Sequence, residues 1–196
     1  MLPGSYQVAL AKRVDGVVTS IGKPQRFDVY MLDPDATPRT PAVVAFEQQT
    51  AKLQRAVLGA NALAGETMER LQALQRALED TPAADAKLAG DAYTLQLALR
   101  DLIEKLAGDP TMSRRQEPTP PSLLQRINGI AGREWSNTLD APTATQRRQY
   151  EVVAAEFGGV LEKLRGLVEG DVKRLEDRAE AAGAPWTSGR IPTWKP

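Results

Sequence analysis

Histidine and cysteine are both missing from this chain of 196 residues. Their absence removes Ser-His-Asp and Cys-His nucleophile systems, thiolate zinc sites and histidine-ligated metals. It also removes disulfides, so the thiols say nothing about a redox compartment. Paired carboxylates, tyrosine, lysine or a carboxylate-bound metal stay chemically open. Charge of one sign is lacking too: Lys+Arg and Asp+Glu both number 25, a formal net charge of zero. A nucleic-acid binder usually carries a basic excess, so the balance argues against that class. No apolar run is long enough to cross a bilayer, which argues against membrane insertion. The opening Met1-Leu2-Pro3-Gly4-Ser5 has neither the basic start nor the apolar stretch of a signal peptide. Glycine-rich phosphate loops are missing as well, with no Gly-x-Gly-x-x-Gly after a strand and no Gly-Lys-Ser/Thr.

What is present is a long apolar period. Phe46, Thr50, Leu53, Val57, Ala60, Ala64, Thr67, Leu71, Leu74 and Leu78 recur at alternating steps of four and three. That is a heptad seam, the signature of a long helix lying along another. Thr40 can cap this helix with Pro41 at its first position, and the helix is expected to reach about Asp80. Thr81-Pro82 breaks it. Leu88, Ala92, Leu95, Leu99, Leu102 and Leu106 then repeat the pattern until Gly108-Asp109-Pro110, and the short connection makes the two helices an antiparallel hairpin. Thr111 to Pro121 reads as a loop. A short third helix is expected to start at Thr119-Pro120 and end near Trp135, and a fourth at the capping pair Thr143/Gln146, stopping at Gly183. The fourth helix is expected to bury Tyr150, Val153, Phe157, Val160, Leu164, Leu167, Leu175 and Ala179.

The first segment differs. Tyr6, Val8 and Leu10 alternate with Gln7, Ala9 and Ala11, and Phe27, Val29 and Met31 alternate again. The reading is a β-hairpin or meander with turns at Asp15-Gly16 and Gly22-Lys23-Pro24. Two or three strands are marginal alone, so the segment either docks on the helices or is the edge of a larger β-domain. Met1 placed directly before Leu2-Pro3-Gly4 fits a fragment whose upstream strands lie elsewhere. The expected organisation is a β-hairpin over 1–34, a Pro-rich linker over 35–41, a helical bundle over 42–183 and a Trp-containing tail over 184–196.

Few residues suggest chemistry. Trp186 and Trp194 in the tail are read as clamping it onto the bundle or a neighbouring domain, with a partner contact or a ligand platform as alternatives. Arg190, with its planar fork, would anchor either arrangement. Tyr6 is a further docking candidate on the hairpin, whose strand edge near Tyr6 to Leu10 is open to strand addition. Glycines inside the helices, Gly158 and Gly159 among them, favour close helix approach over mere tolerance. Carboxylate pairs such as Glu66/Glu69 and Asp171/Glu176 are read as solvated faces. Di-metal bundles need a Glu-x-x-His motif, which cannot occur here. Gln146-Arg147-Arg148 and Arg114-Arg115 are too small for a nucleic-acid footprint. No catalytic residue, cofactor or metal is assigned.

Several strings carry a family resemblance. Leu2-Pro3-Gly4-Ser5-Tyr6-Gln7-Val8 resembles the closing strands of an immunoglobulin-like domain, and Leu53-Gln54-Arg55-Ala56-Val57-Leu58-Gly59 resembles the helix after it. With Glu117-Pro118-Thr119-Pro120-Pro121-Ser122, Trp135-Ser136, Ala141-Pro142-Thr143-Ala144-Thr145-Gln146 and Gly183-Ala184-Pro185-Trp186-Thr187, they look like the C-terminal region of bacterial BNR-repeat or sortilin-like β-propeller proteins labelled glycosyl hydrolases. The resemblance covers nearly the whole sequence but no functional motif. It implies a periplasmic or extracellular parent in which propellers come first, an immunoglobulin-like segment follows and helices close the chain.

The expectation is therefore a mainly α protein: an up-down bundle of long helices plus an N-terminal β-hairpin that looks like the end of an immunoglobulin-like domain. Its expected role is a non-catalytic support and interaction module of an exported propeller protein. It would pack beside the propeller or pair with another copy through packing residues such as Phe46, Leu53, Leu71, Leu74, Leu78, Phe157 and Leu164. The rivals are an accessory part of a glycoside hydrolase that helps shape a carbohydrate site, and a free-standing helical adaptor.

Overall fold

A computed structural model describes residues 3–32, 40–131 and 141–194. Most of the Pro-rich linker expected at 35–41, and the expected end of the third helix at Trp135, lie outside these residues. The fold is mainly helical with an N-terminal two-stranded antiparallel hairpin.

Asp15 and Gly16 both take positive φ, 49° and 82°, as a two-residue type I′ hairpin turn needs. They join β1 (Gly4–Val14) to β2 (Val17–Val29), with Tyr6 opposite Phe27 and Val14 opposite Val17. The second turn expected at Gly22-Lys23-Pro24 is not one. Those three residues lie opposite Ala9 as a bulge within one long strand. Pro24 accounts for it, because it has no N–H to give a ladder and is tolerated at bulges. Among the described residues no helix packs on the hairpin: Leu10 is 65% exposed, and Val8, Val14, Val17 and Ile21 are exposed with it.

Thr40 accepts the Val43 N–H at 3.3 Å and Pro41 opens α1 (Pro41–Glu79). At 39 residues, α1 is about 58 Å long. Val43, Thr50, Val57, Ala64, Leu71 and Leu78 are buried at every seventh position, and Ala60, Thr67 and Leu74 are buried three residues further on. A seven-residue repeat sustained this far keeps one stripe inward and implies left-handed coiling around a neighbour. Phe46 and Leu53 share the phase but are half-buried. The two seam threonines are satisfied within the helix, Thr50 Oγ1 donating to Phe46 O at 2.8 Å and Thr67 Oγ1 to Leu63 O at 2.7 Å.

The neighbour is α2 (Ala86–Ala107), capped by Asp85 and antiparallel to α1. It buries Leu88, Ala92, Leu99, Leu102 and Leu106. The stretch expected as loop holds a one-turn helix, α3 (Pro110–Arg114), started by Asp109 accepting the Thr111 N–H. The next helix, α4 (Leu123–Ala131), starts later than expected. Its cap is Ser122, in a reciprocal pair where Ser122 Oγ accepts the Gln125 N–H and Gln125 Oε1 accepts the Ser122 N–H. Thr143 and Gln146 form the expected capping box of α5 (Ala144–Arg165). A π-helical segment over Gly166–Val172 and then α6 (Lys173–Ala181) continue it without a break in helical backbone.

These helices share one core. Leu71, Leu74, Leu99, Leu106, Ile127 and Leu164 are its largest fully buried side chains, each contributing about 1.5–3 kcal/mol by burial. Gln96 to Gln75 at 2.7 Å, Gln54 to Asn128 at 2.8 Å and Arg178 to Asp91 at 2.7 Å tie the helices outside it. Close helix approach is not what the helical glycines serve. A Cβ built at Gly59, Gly65, Gly90, Gly158, Gly159 or Gly166 meets nothing within 4 Å, because these residues face away from the seam.

Candidate functional site

Two surface features on the bundle have enough structure to be tested as sites: the clasp of the C-terminal tail and an open groove. The clasp begins where α6 ends. Ala184 N–H bonds Ala179 O at 3.0 Å and Gly183 N–H bonds Glu180 O at 2.9 Å, the paired bonds of a Schellman motif. Ala184 is buried against the core beside Ala179, as that motif favours. From there the tail crosses back over α1. Arg190 N–H bonds Thr187 O at 3.1 Å, closing a turn with Gly189 at φ 87°.

Beneath Gly189 lies a charge pair. Arg70 of α1 donates from Nη2 to Glu176 Oε1 of α6 at 2.6 Å, with side chains 26% and 9% exposed. A Cβ on Gly189 would stand 2.6 Å from Arg70 Nε, so the tail backbone presses on the guanidinium. The tail is held again at its far end, where Thr193 Oγ1 donates to Glu180 Oε1 at 2.7 Å. Glu176 does not share the solvated face expected of it with Asp171. It is instead buried, while Asp171 stays outside and pairs with Arg174.

The residues proposed for docking are thus divided. Trp186 and Arg190 come together, the guanidinium carbon 4.6 Å from the ring centroid, a cation–π distance. Arg190 Nη1 also donates to Pro185 O at 3.1 Å. Trp186 is 40% exposed, whereas Trp194 is 82% exposed. Tyr6 belongs to the hairpin and stacks on Phe27, ring centroids 5.8 Å apart.

The groove, about 700 Å³, runs between the end of α2 and the middle of α5, with the Thr119–Leu123 segment as its third wall. Acidic Asp101, Glu104, Asp109 and Glu156 line it together with basic Lys105, Arg126 and Lys163. Asp109 is committed to capping α3. Arg126 is committed to Pro121 O at 3.1 Å and Gln149 Oε1 at 3.4 Å. A groove of mixed sign with its walls on exposed helix faces differs from the mainly apolar concavities that hold small ligands. Among the described residues no group of three or more Asp and Glu is placed to hold a metal ion. No described helix is long and apolar enough to cross a membrane.

Nothing in the sequence marks Arg70 as a partner, and the solvated environment expected of Glu176 is not the one it has. A charged residue half a seam away from leucines looks like any surface residue in one dimension. Compared with family models, with curated proteins and with solved structures, the chain matches none.

Proposed function

We propose that the chain is a non-catalytic support and interaction module, the C-terminal helical part of a larger exported β-propeller protein. One observation carries the module reading: apolar surface is distributed unequally. The helices close most of their leucines and valines into a single core, leaving Leu58 and Leu63 outside it, while the hairpin leaves Val8, Leu10, Val14, Val17, Ile21 and Phe27 exposed. Contiguous apolar surface of several hundred Å² marks a place that meets another protein surface. The propeller, the immunoglobulin-like origin of the hairpin and a periplasmic or extracellular location rest on the resemblance of the strings from Leu2-Pro3-Gly4 to Gly183-Ala184-Pro185-Trp186. In this reading the bundle is a strut, and its partner is the neighbouring propeller region or another copy. The reading frame upstream of the Met1 codon tests it. In-frame propeller repeats are the expected finding, and a stop codon immediately upstream would sink the proposal.

A second reading, an accessory part of a carbohydrate site, is favoured by the exposed ring of Trp194 and the Trp186–Arg190 pair. Titration of the chain with glycans separates the two. Millimolar binding lost in Trp186→Ala or Trp194→Ala would support the carbohydrate reading, and no binding leaves the module reading in place.

A further inference from the structure

The outward side of α1 carries a second heptad-like pattern, opposite the buried one. Lys52, Arg55, Gly59, Ala62, Glu66 and Glu69 recur at alternating steps of three and four, and all of them are exposed. At about 100° per residue they lie on the far side of the helix from Val57, Ala60, Ala64 and Thr67, which are buried. Residues 56–65, between the cations and the anions, carry no charge. Leu58 and Leu63 flank that stretch at 48% and 39% exposure. A surface helix ordinarily sets charged and polar side chains where these small and apolar ones stand.

The pattern is its own complement. Two cations stand at one end and two anions at the other, equally spaced from a point between Ala60 and Asn61. Lys52 is as far from that point as Glu69, and Arg55 is as far from it as Glu66. Gly59 and Ala62 match in the same way. Two copies laid antiparallel about a two-fold axis through that point put Lys52 level with the other copy's Glu69 and Arg55 level with its Glu66, twice over. Gly59 then meets Ala62, where no side chain larger than methyl holds the backbones apart. Leu58 comes alongside its own counterpart on one flank, and Leu63 does so on the other. Parallel copies would set cation on cation and anion on anion. None of the four charges has an ion-pair or hydrogen-bond partner among the described residues. Arg70, the cation beside Glu69, is turned to Glu176. From Lys52 to Glu69 the face is about 26 Å long and about 10 Å wide. A pair therefore buries several hundred Å² in total, below the roughly 1,000 Å² of a lasting interface. Such a pair is reversible, and its charges fix register and orientation more than strength.

We infer that two copies of this chain associate reversibly and antiparallel through the outward face of α1, centred between Ala60 and Asn61. The inference deepens the support-module reading by naming an interaction surface and its partner, and it rests on that reading. Its test uses the full chain, which has no cysteine of its own. Gln48→Cys, at the exposed position four residues before Lys52, carries a nitroxide and is mixed with the ¹⁵N-labelled native chain. In the antiparallel pair the label lies level with the other copy's Ala73 and about 37 Å along α1 from its Gln48. With each copy at about 0.5 mM, where a millimolar Kd leaves a measurable share paired, amide signals of residues 66–76 should lose roughly half their intensity. Signals around residue 48 should keep theirs. Lys52→Glu with Arg55→Glu in both copies should abolish the loss. Adding Glu66→Lys and Glu69→Lys to the same chain exchanges the two ends and should restore it. Far-UV circular dichroism of each variant reports that the helices are intact.

No broadening at this concentration, or broadening centred on residue 48, would overturn the inference. So would broadening that survives the Lys52 and Arg55 reversal, or a folded fourfold variant that fails to recover it. Broadening over β1 and β2 in place of α1 would do the same. Propeller repeats encoded upstream with no broadening would remove this inference alone. Broadening with a stop codon immediately upstream would remove the parent-protein reading alone.

Discussion

A helix of 3.6 residues per turn rotates everything downstream by about 100° when one residue is removed. The long helix from Ala144 to Ala181 is a sensitive place to apply that. Val153, Phe157, Val160, Leu164 and Leu167 are buried at steps of four and three, and the next buried residues are Val172, Leu175 and Ala179. The step from Leu167 to Val172 is five. An uninterrupted α-helix would bring Asp171, Arg174 and Arg178 inward instead. The π segment over Gly166–Val172 absorbs the extra residue and returns the seam to phase. Deleting Glu169, an exposed residue of that segment, shortens the step to four and allows plain α-helix throughout. Stability should change by no more than about 1 kcal/mol, the range of surface changes that leave the core intact. Deleting Glu162, exposed in ordinary α-helix, should turn Leu164, Leu167, Val172 and Leu175 out of the core. At about 1.5–3 kcal/mol each, that loss is comparable to the roughly 5–15 kcal/mol of a whole domain. Urea denaturation followed by far-UV circular dichroism compares the two variants directly. If the Glu169 deletion lost several kcal/mol, or the Glu162 deletion folded normally, the register account of the π segment would be wrong.

Three further outcomes are expected. Glu176→Ala leaves Arg70 uncompensated under the tail. Because Arg70 is about a quarter exposed, the cost should fall near 2–3 kcal/mol, below that of a fully buried pair, and a double-mutant cycle with Arg70→Met should recover much of it in urea melts. Gly159→Ala should stabilise by about 0.5–1 kcal/mol, since the added methyl meets nothing, whereas Gly189→Ala, with φ 87° and Arg70 at 2.6 Å, should release the tail; protease nicking near residues 185–194 reads the difference. Lys173 donates to Asp177 at 2.6 Å, and that bond with the charge behind it holds the lysine above its ordinary range. Its contribution is present below the unfolded lysine value and lost as pH rises through the folded one. Asp177→Asn should therefore lower the Lys173 midpoint in an NMR titration.

Much of the fold was legible because it depends on period and caps, which are local. The α1 seam, the Asp15-Gly16 turn and the Thr143/Gln146 box all follow from residues within one or two turns of each other. The Ser122 cap was missed because Thr119-Pro120 competes with Ser122/Gln125 for the start of α4, and the short helix α3 because Gly108-Asp109-Pro110, which ends α2, also supplies the Asp109 cap and Pro110 first position of a new turn. The glycines misled in a simpler way, since a small residue on the outside of a helix looks like a small residue at a contact until a neighbour is located.

The clasp shows where one-dimensional reading stops. Leu167 and Leu175 are eight residues apart where the heptad calls for seven, so the slip was visible in the sequence. Its consequence was not. The same extra residue that returns Leu175 and Ala179 to the seam brings Glu176 to the inside, between Val172 and Ala179 at steps of four and three. A carboxylate there has to be paired, since an isolated charge is costly to bury, and α1, 106 residues away in sequence, provides Arg70. The tail then closes over that pair because glycine stands at the one position where a side chain would strike the guanidinium. Register, burial, partner and lid are links in one chain of cause, and only the first is local.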